Sequence, residues 1–586
     1  MKKISLIFLF AILCLHKTSA QIVETITINI GTVSITDSIV KPHLLGVIAG
    51  PSPNHNSDAP DLTAKFQDIG ISSIRNNDYQ DDRLDMERMF FCGDYNSISE
   101  LSTQYPDWNC DPNDTANYHF ETSDLQFKNI VDGGFLPFFR LGGEFNHVIH
   151  PHDYKGPRNN EELNWIKASL KVINRYNNFN GGSNTLKDYL NIWTEYPQKN
   201  FWDRDSIEFN NFWCTSYDSL KSNFPTLKIG GPGFNTSIST KLGNTAVVKI
   251  WIDLFLKELY LRNLKPDWIG FHVFSNDIEE FYNAAINYRK LLRAEPPFSS
   301  YGSIWGIGDA SFFSKTELIC DAWGFDNDAT LSSSARDSLF NGQQGAAHHV
   351  GVYIALQHAD IERAYLYRGG EMNSDTTKSI MGLFHGNSNG SYKPAAYGFK
   401  LCSSMQKTYT KKLITPVSNI ASGGSKIWTL AGEDSLGNKA ILISNPSANI
   451  VNLSLNINSQ NLTTVMYPYI NHHTVTDTSN GLVPISWSNG VFVLYPYTSH
   501  LITMSNDFTS VNSLTITNRN INLYPNPSTN LISFSENLFN VTIFDAYGQT
   551  VFYRKGPSKS VSTVDMKNGI YFLRSNNINI KFVVQH

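Results

Sequence analysis

The chain has 586 residues and a formal net charge of −5, with 47 Lys and Arg against 52 Asp and Glu, and 41% of its residues are hydrophobic. A mildly acidic chain with no long basic block lacks the electrostatic footprint of a nucleic-acid binder. Its length allows a sizeable core, in one large domain with one or two smaller ones at about 150 residues per domain.

In chain order, the first element is MKKISLIFLFAILCLHKTSA, in which Lys2 and Lys3 precede a short apolar run and small residues that end at Ala20. This pattern predicts a signal peptide over residues 1–20. The run is too short to span a bilayer, and no later segment reaches the roughly eighteen apolar residues a membrane helix needs. An exported protein without a transmembrane segment is expected. Residues 21–41 (ETITINIGTVSITDSI) read as strands that join a later β-sandwich.

Residues 42–411 alternate short apolar runs with longer amphipathic segments, the pattern of strand–helix units around a parallel sheet. Candidate strands are LLGVIAG from Leu44, ISSIRNN from Ile71, FLPFFRLGG from Phe135, YLNIWTE from Tyr189, LKIGGPG from Leu227, DWIGFHVF from Asp267, FFSKTELI from Phe312 and RAYLYRG from Arg363. Eight such strands close a TIM-type barrel. Between them NEELNWIKASLKVINRYN, AVVKIWIDLFLKELYLRN and GAAHHVGVYIALQHA carry apolar residues at helical spacing. Residues 412–505 change to short alternating runs with Gly, Asn and Ser turns, which predicts an all-β sandwich. A polar linker, 506–520, leads to a last unit, 521–586. The expected fold class is therefore α/β: a (β/α)8 barrel, then a β-sandwich, then a small C-terminal β-sandwich.

Of the six cysteines, Cys14 lies in the leader. Cys92 and Cys110 flank a polar loop and are candidates to pair in an oxidising compartment, while Cys214, Cys320 and Cys402 read as buried thiols. No spacing suggests zinc, and no metal or cofactor is expected. Aromatic residues make up 13% of the chain, which suits stacking on sugar faces as well as core packing.

Two carboxylates stand out. Glu195 ends the fourth candidate strand, before Pro197, and Glu317, in SKTELICDAWG, is placed near the end of the seventh. Both are then expected on the catalytic face, where a retaining glycosidase needs two carboxyl groups ~5 to 5.5 Å apart, one a proton donor and the other a nucleophile. Trp193 and Trp202 are candidates to desolvate Glu195, and Lys315 and Thr316 to hold Glu317 charged.

The order of motifs resembles glycoside hydrolase family 39, a clan A family whose best-known members are β-xylosidases. SIRNNDYQDD resembles its strand-two Arg motif; IWTEYPQKNFW, EFNNFW and LKIGGPG its acid/base strand, helix and Gly-Gly-Pro strand; DWIGFHVFSND its strand-six Phe-His segment; TEL its nucleophile strand; and GLFHGNSNGSYKPAAYGFKL its closing helix. The resemblance covers most of residues 40–500 and implies Glu195 as acid/base and Glu317 as nucleophile. Three positions depart from it: Thr194 stands where relatives place Asn, Phe274 where they place Tyr, and Asn76 where they place His. An altered sugar preference is expected.

Substrate-binding candidates are Arg75, Asn76, Glu144, His147, Thr194, Trp202, His272 and Trp323. Arg75 reads either as a group orienting Glu317 or as a loop salt bridge. His272 reads as a partner of substrate or carboxylate, or as a structural histidine. His147, His150 and His152 have spacing that permits metal binding, yet they form no recognisable ligand set and read as a polar subsite loop. Trp305 and Trp323 read as stacking platforms or core.

The last unit, through NLYPNPSTN, VTIFDAYGQTV and NGIYFLR, resembles the C-terminal sorting domain of the type IX secretion system of Bacteroidota. That resemblance implies the type IX export machinery as a partner and a secreted or outer-membrane-surface location. The expected function is a secreted retaining glycoside hydrolase acting on oligo- or polysaccharides. The alternative is a catalytically silent barrel that binds surface glycans.

Overall fold

The structure, a computed structural model, describes residues 23–31, 39–52, 60–76, 86–92, 108–143, 156–158, 161–182, 185–186, 189–199, 201–235, 245–295, 311–326, 331–371, 381–386, 389–457, 460–461, 469–474, 483–484, 492–505, 523–545, 550–575 and 578–586. The leader, Glu144, His147, His150, His152, Trp305 and residues 506–520 lie outside the described residues. The chain divides into two compact units, 1–507 and 508–586.

The first unit opens with β1 (Val23–Ile30), whose inward residues alternate strictly with exposed ones, as a half-buried strand requires. The barrel follows. Its strands are β2 (Gly46–Ile48), β3 (Ser73–Arg75), β4 (Leu136–Arg140), β5 (Tyr189–Asn191), β6 (Lys228–Gly230) with its continuation β7 (Phe234–Asn235), β8 (Trp268–Phe274), β9 (Glu317–Gly324) and β10 (Arg363–Tyr367). They pair in parallel in chain order, β10 returns to β2, and Gly230 of β6 pairs with Trp268 of β8, so the sheet closes. Counting β6 and β7 as one interrupted strand, this is an eight-stranded parallel barrel.

Seven of the eight strands begin within three residues of their expected starts. The exception is β9, which begins at Glu317, not Phe312. Residues 311–315 form a turn instead, and Phe312 and Phe313 pack edge to face at 4.7 Å beneath the barrel. Their apolar character reflects that packing and not a strand.

The barrel interior is filled by Ile48, Phe138, Tyr189, Trp268, Ile319 and Tyr365, as expected of a barrel whose centre is packed core and not a pore. The three helices expected from periodicity form as Glu162–Asn177, Thr245–Leu261 and Gln343–His358. The last is buried nearly all round, because one side faces the barrel and the other a β-sandwich. Ser444 Oγ donates to Ala347 O at 2.6 Å and Lys412 Nζ to Gln357 O at 2.9 Å across that contact.

The sandwich pairs one sheet built on the strands Lys426–Glu433, Lys439–Asn445 and Thr498–Ser505 with a second built on the strand Ile450–Ile457. β1 runs parallel to the strand Ile450–Ile457 over its whole length, Val23 opposite Ile450 to Ile30 opposite Ile457. Ile26, Ile28, Ile441, Ile443, Val451 and Leu453 meet between the sheets. Glu24 fastens the strand: its carboxylate accepts from Ser425 N at 3.0 Å, Ser425 Oγ at 2.8 Å and Asn449 Nδ2 at 2.7 Å.

The second unit is a five-stranded antiparallel sheet whose long strands are Leu531–Phe544 and Thr550–Ser562. Its own core contains Ile532, Phe534, Val541, Ile543, Leu573 and Phe582. Cys92 and Cys110 form a disulfide, and Cys214, Cys320 and Cys402 are buried thiols. No helix among the described residues is long and apolar enough to cross a membrane.

Candidate active site

Glu195 follows β5 at the C-terminal end of the barrel, the end at which loops carry chemistry in this architecture. Its backbone has φ of 52°, a left-handed conformation that a residue with a Cβ adopts at a cost of roughly 1–2 kcal/mol. A turn closed by Gln198 N donating to Glu195 O at 2.7 Å holds it there. Such strain, when it sits on a carboxylate with 17% of its side chain exposed, marks a side chain aimed by its surroundings.

Beneath Glu195 lies a buried charge network. His272 Nδ1 is 3.0 Å from Glu195 Oε1, and His272 Nε2 is 3.3 Å from Asp321 Oδ2. Burial pulls the imidazole pKa down, but the charges and hydrogen bonds of Asp321 and Glu195 outweigh it and hold the value above the ordinary one. The charged ring, which donates from both nitrogens, is the form that satisfies both oxygens. Asp321 Oδ2 also accepts from Asn191 Nδ2 at 3.1 Å and faces Arg75 Nη2 at 3.3 Å, while Arg75 Nη2 donates to Thr194 Oγ1 at 2.8 Å.

Asp321 is aimed inward by a bulge. Phe271 pairs with Cys320 but the next residue, His272, pairs with Ala322, so Asp321 is the extra residue of β9. Bulges re-aim side chains in this way beside functional sites. Two glycines leave it space: a Cβ on Gly270 would fall 2.4 Å from Asp321 Oδ1, and one on Gly233, at φ +60°, would fall 2.7 Å from both Asp321 Oδ2 and His272 Nε2.

The structure corrects the expected partner of Glu195. Glu317 is the first residue of β9 and pairs with Trp268, the first residue of β8. It therefore stands at the N-terminal end of the barrel, and an eight-residue strand, roughly 23 Å long, separates it from the mouth. There it is ion-paired with Lys228 and accepts from Tyr189 Oη at 2.5 Å. Burial first, and then Glu317, push the Tyr189 phenol up to about 12, so it remains the donor. Glu195 and Glu317 do not meet.

The expected binding residues also differ in place. Arg75, Asn76, Thr194, Trp202, His272 and Trp323 are each at most 1% exposed and present no surface to a ligand in this structure. Arg75, Thr194 and His272 belong to the network beneath Glu195. Arg75 faces Asp321, not Glu317. Asn76 exchanges hydrogen bonds with the backbone of Arg140, at 2.7 Å and 3.3 Å. Trp202 lies against Phe212, and Trp323 against Phe281, His349 and Phe399, because both rings fill the gap between barrel strands and helices.

Sequence reasoning missed Asp321, Asn235 and Gln198. Asn235 Nδ2 is 3.4 Å from Glu195 Oε2 and donates to Gln198 Oε1 at 3.1 Å. A charged residue inside the apolar run ELICDAWG was the available signal for Asp321, since a lone buried acid demands partners. A third carboxylate, Glu371 after β10, is taken up by Lys393 Nζ at 2.7 Å and Gly382 N at 2.7 Å. Among the described residues no group of three His, Cys, Asp or Glu side chains is arranged to hold a metal ion.

Residues 522–585 match the family model of the secretion system C-terminal sorting domain. A comparison with curated proteins finds no match. Among solved structures the chain is similar to a glucosidase from Croceicoccus marinus, with 15% identity, a TM-score of 0.58, and 83% of this chain and 99% of that one covered. It is similar also to a monomeric beta-xylosidase from Caulobacter crescentus CB15, with 13% identity, a TM-score of 0.53, and 82% and 99% covered. An alpha-L-arabinofuranosidase from Thermotoga maritima gives 12% identity, a TM-score of 0.52, and 82% and 99% covered. At these identities the likeness is one of fold. The chain has the fold of these solved structures, a barrel followed by a β-sandwich, and residues 522–585 are a sorting domain of the type IX secretion system, which directs it to the cell surface or beyond.

Proposed function

We propose that the protein is a glycoside hydrolase in which Glu195 transfers the proton at the glycosidic oxygen. The observation that carries this reading is the placement of Glu195: partly exposed, strained, at the C-terminal end of a barrel strand, and held by a histidine that is itself held by a buried carboxylate. The bond from the anomeric carbon to the leaving oxygen breaks with its electrons going to oxygen, which takes the proton of Glu195. Water then adds to the anomeric carbon and gives up a proton to the Glu195 carboxylate, which restores the acid, so that a hydroxyl replaces the leaving group. The positive charge that develops on the ring is offset by the carboxylate that Glu195 becomes as it gives up its proton. Asp321 is wholly buried and faces both Arg75 and His272, so its part is to hold His272 against Glu195. The double displacement expected from a Glu195–Glu317 pair finds no support in this arrangement. The solved neighbours point to glucosides, xylosides and arabinofuranosides as first substrates.

A second reading is favoured by one observation, the absence of exposed surface on Asp321: a silent barrel that binds glycans at the cell surface. The two separate on one experiment. Wild type and Glu195→Gln are assayed against aryl glucosides, xylosides, arabinofuranosides and oligosaccharides. We expect turnover of at least one substrate by wild type and a loss of about 10²–10⁴-fold in the variant, the usual contribution of a positioned acid/base group. Binding by both proteins with turnover by neither would establish the glycan-binding reading instead.

A further inference from the structure

Asn235 and His272 are directly opposite each other on adjacent strands, β7 and β8. Their side chains reach different oxygens of the same carboxylate: His272 lies 3.0 Å from Glu195 Oε1, Asn235 Nδ2 3.4 Å from Glu195 Oε2. The Oε2 contact is long for an N–H···O bond, so of the two oxygens Oε2 is the one more readily given over to a substrate. The facing of the Asn235 amide is decided by its second bond, a donation to Gln198 Oε1 at 3.1 Å. Gln198 in turn is fixed to Glu195 through the backbone turn that its N–H closes. With an acceptor on each side, the amino end of Asn235 faces the carboxylate. A donor held against a carboxylate favours the ionised form.

We infer that Asn235, oriented by Gln198, is a positioning residue that, with His272 holding Oε1, fixes the orientation of the Glu195 carboxylate and sets how readily Oε2 gives up its proton. The inference rests on the reading of Glu195 as proton carrier, which it refines by naming the oxygen and its partner. Neither amide takes part in bond making. Asn235 is 6% exposed and in register with His272, so its position is set by the barrel itself.

The test compares wild type, Asn235→Ala, Asn235→Asp and Gln198→Ala. In each, the Glu195 carboxyl is titrated by NMR in protein carrying ¹³C-labelled glutamate, with Glu195→Gln assigning the resonance, and a melting curve is recorded alongside. Removing the donor in Asn235→Ala should raise the Glu195 midpoint. Asn235→Asp, which sets a second carboxylate beside the first, should raise it by about one unit or more. Gln198→Ala should move it in the same direction by less. On a substrate that wild type turns over, the alkaline limb of kcat/KM should follow these shifts, with kcat about tenfold lower in Asn235→Ala. Midpoints unchanged in both Asn235 variants, with only the melting temperature lowered, would reduce the residue to a structural tie and overturn the inference. Wild type that turns over nothing would sink the reading of Glu195 while leaving the titration to decide the role of Asn235.

Discussion

Glu317 and Asp321 stand four residues apart on β9, yet they serve opposite ends of the barrel. The first braces the base with Lys228 and Tyr189, and the second lies under the mouth with Arg75, Asn191 and His272. Glu317→Gln should therefore leave turnover unchanged and lower the melting temperature by about a degree or less, since the lost ion pair is part-exposed and worth about 1 kcal/mol or less in a large unit. A collapse of kcat with the fold intact would return Glu317 to the chemistry. Glu195 was legible because a Glu two residues past the run YLNIW, with Pro197 two residues further on, interrupts the core pattern visibly. Asp321 was hidden by its bulge, which breaks the alternation that would have marked an inward carboxylate. Asn235 was hidden because its importance lies in register with His272, 37 positions away (272 minus 235). Gly233 shows the same difficulty: only the approach of Asp321 and His272 explains why no Cβ fits there.

At the scale of elements, long periodic helices were read correctly, and the one misplaced strand start displaced the expected site by the length of a strand. The helix Gln343–His358 carries a consequence of being covered on both sides. His349 sits against Trp323 and Phe399, its Nδ1 against Gly345 O at 2.7 Å, and burial, with the nearby Lys393 charge, brings its pKa down to about 4 despite that hydrogen bond. His348 is lowered in the same sense, by burial first and His349 next. In the unfolded chain a histidine protonates near about 6.5. The unfolded state thus binds more protons between pH 6.5 and 4, and the stability that neutral His349 contributes above that range is lost as pH falls through it. The size is on the order of 3 kcal/mol. His272, with its raised value, acts in the opposite sense: its contribution is complete below the unfolded value and lost as pH rises through the folded one. A single substitution separates the two. Melting curves of His349→Leu between pH 4 and 7 should fall less steeply toward acid than those of wild type; parallel slopes would mean that His349 is charged in the folded protein.

On the scale of the whole molecule, division of labour follows from where the cores close. The barrel and the first sandwich share one unit, fastened by β1 on the strand Ile450–Ile457 and by the buried helix Gln343–His358 between barrel and sheet, whereas residues 508–586 close a separate core around Ile532, Phe534 and Phe582. Turn residues and alternating runs are local signals, and they are what set the expected joints near residue 412 and over 506–520. What local signals do not reveal is that β1 runs parallel to a strand more than 400 residues away in sequence, an arrangement that rests on side-chain fit between sheets. A core closed by its own residues contributes its own cooperative transition. Calorimetry of the full chain should show the melting transition of the barrel and first sandwich at the same temperature as in a chain ended after Asp507, with the transition of the sorting unit missing from the shorter chain. Activity on any substrate found should be equal in the two, while export to the cell surface should require the sorting unit. A melting temperature several degrees lower in the shorter chain, or lost turnover, would show that the sorting unit supports the catalytic one and is more than an address.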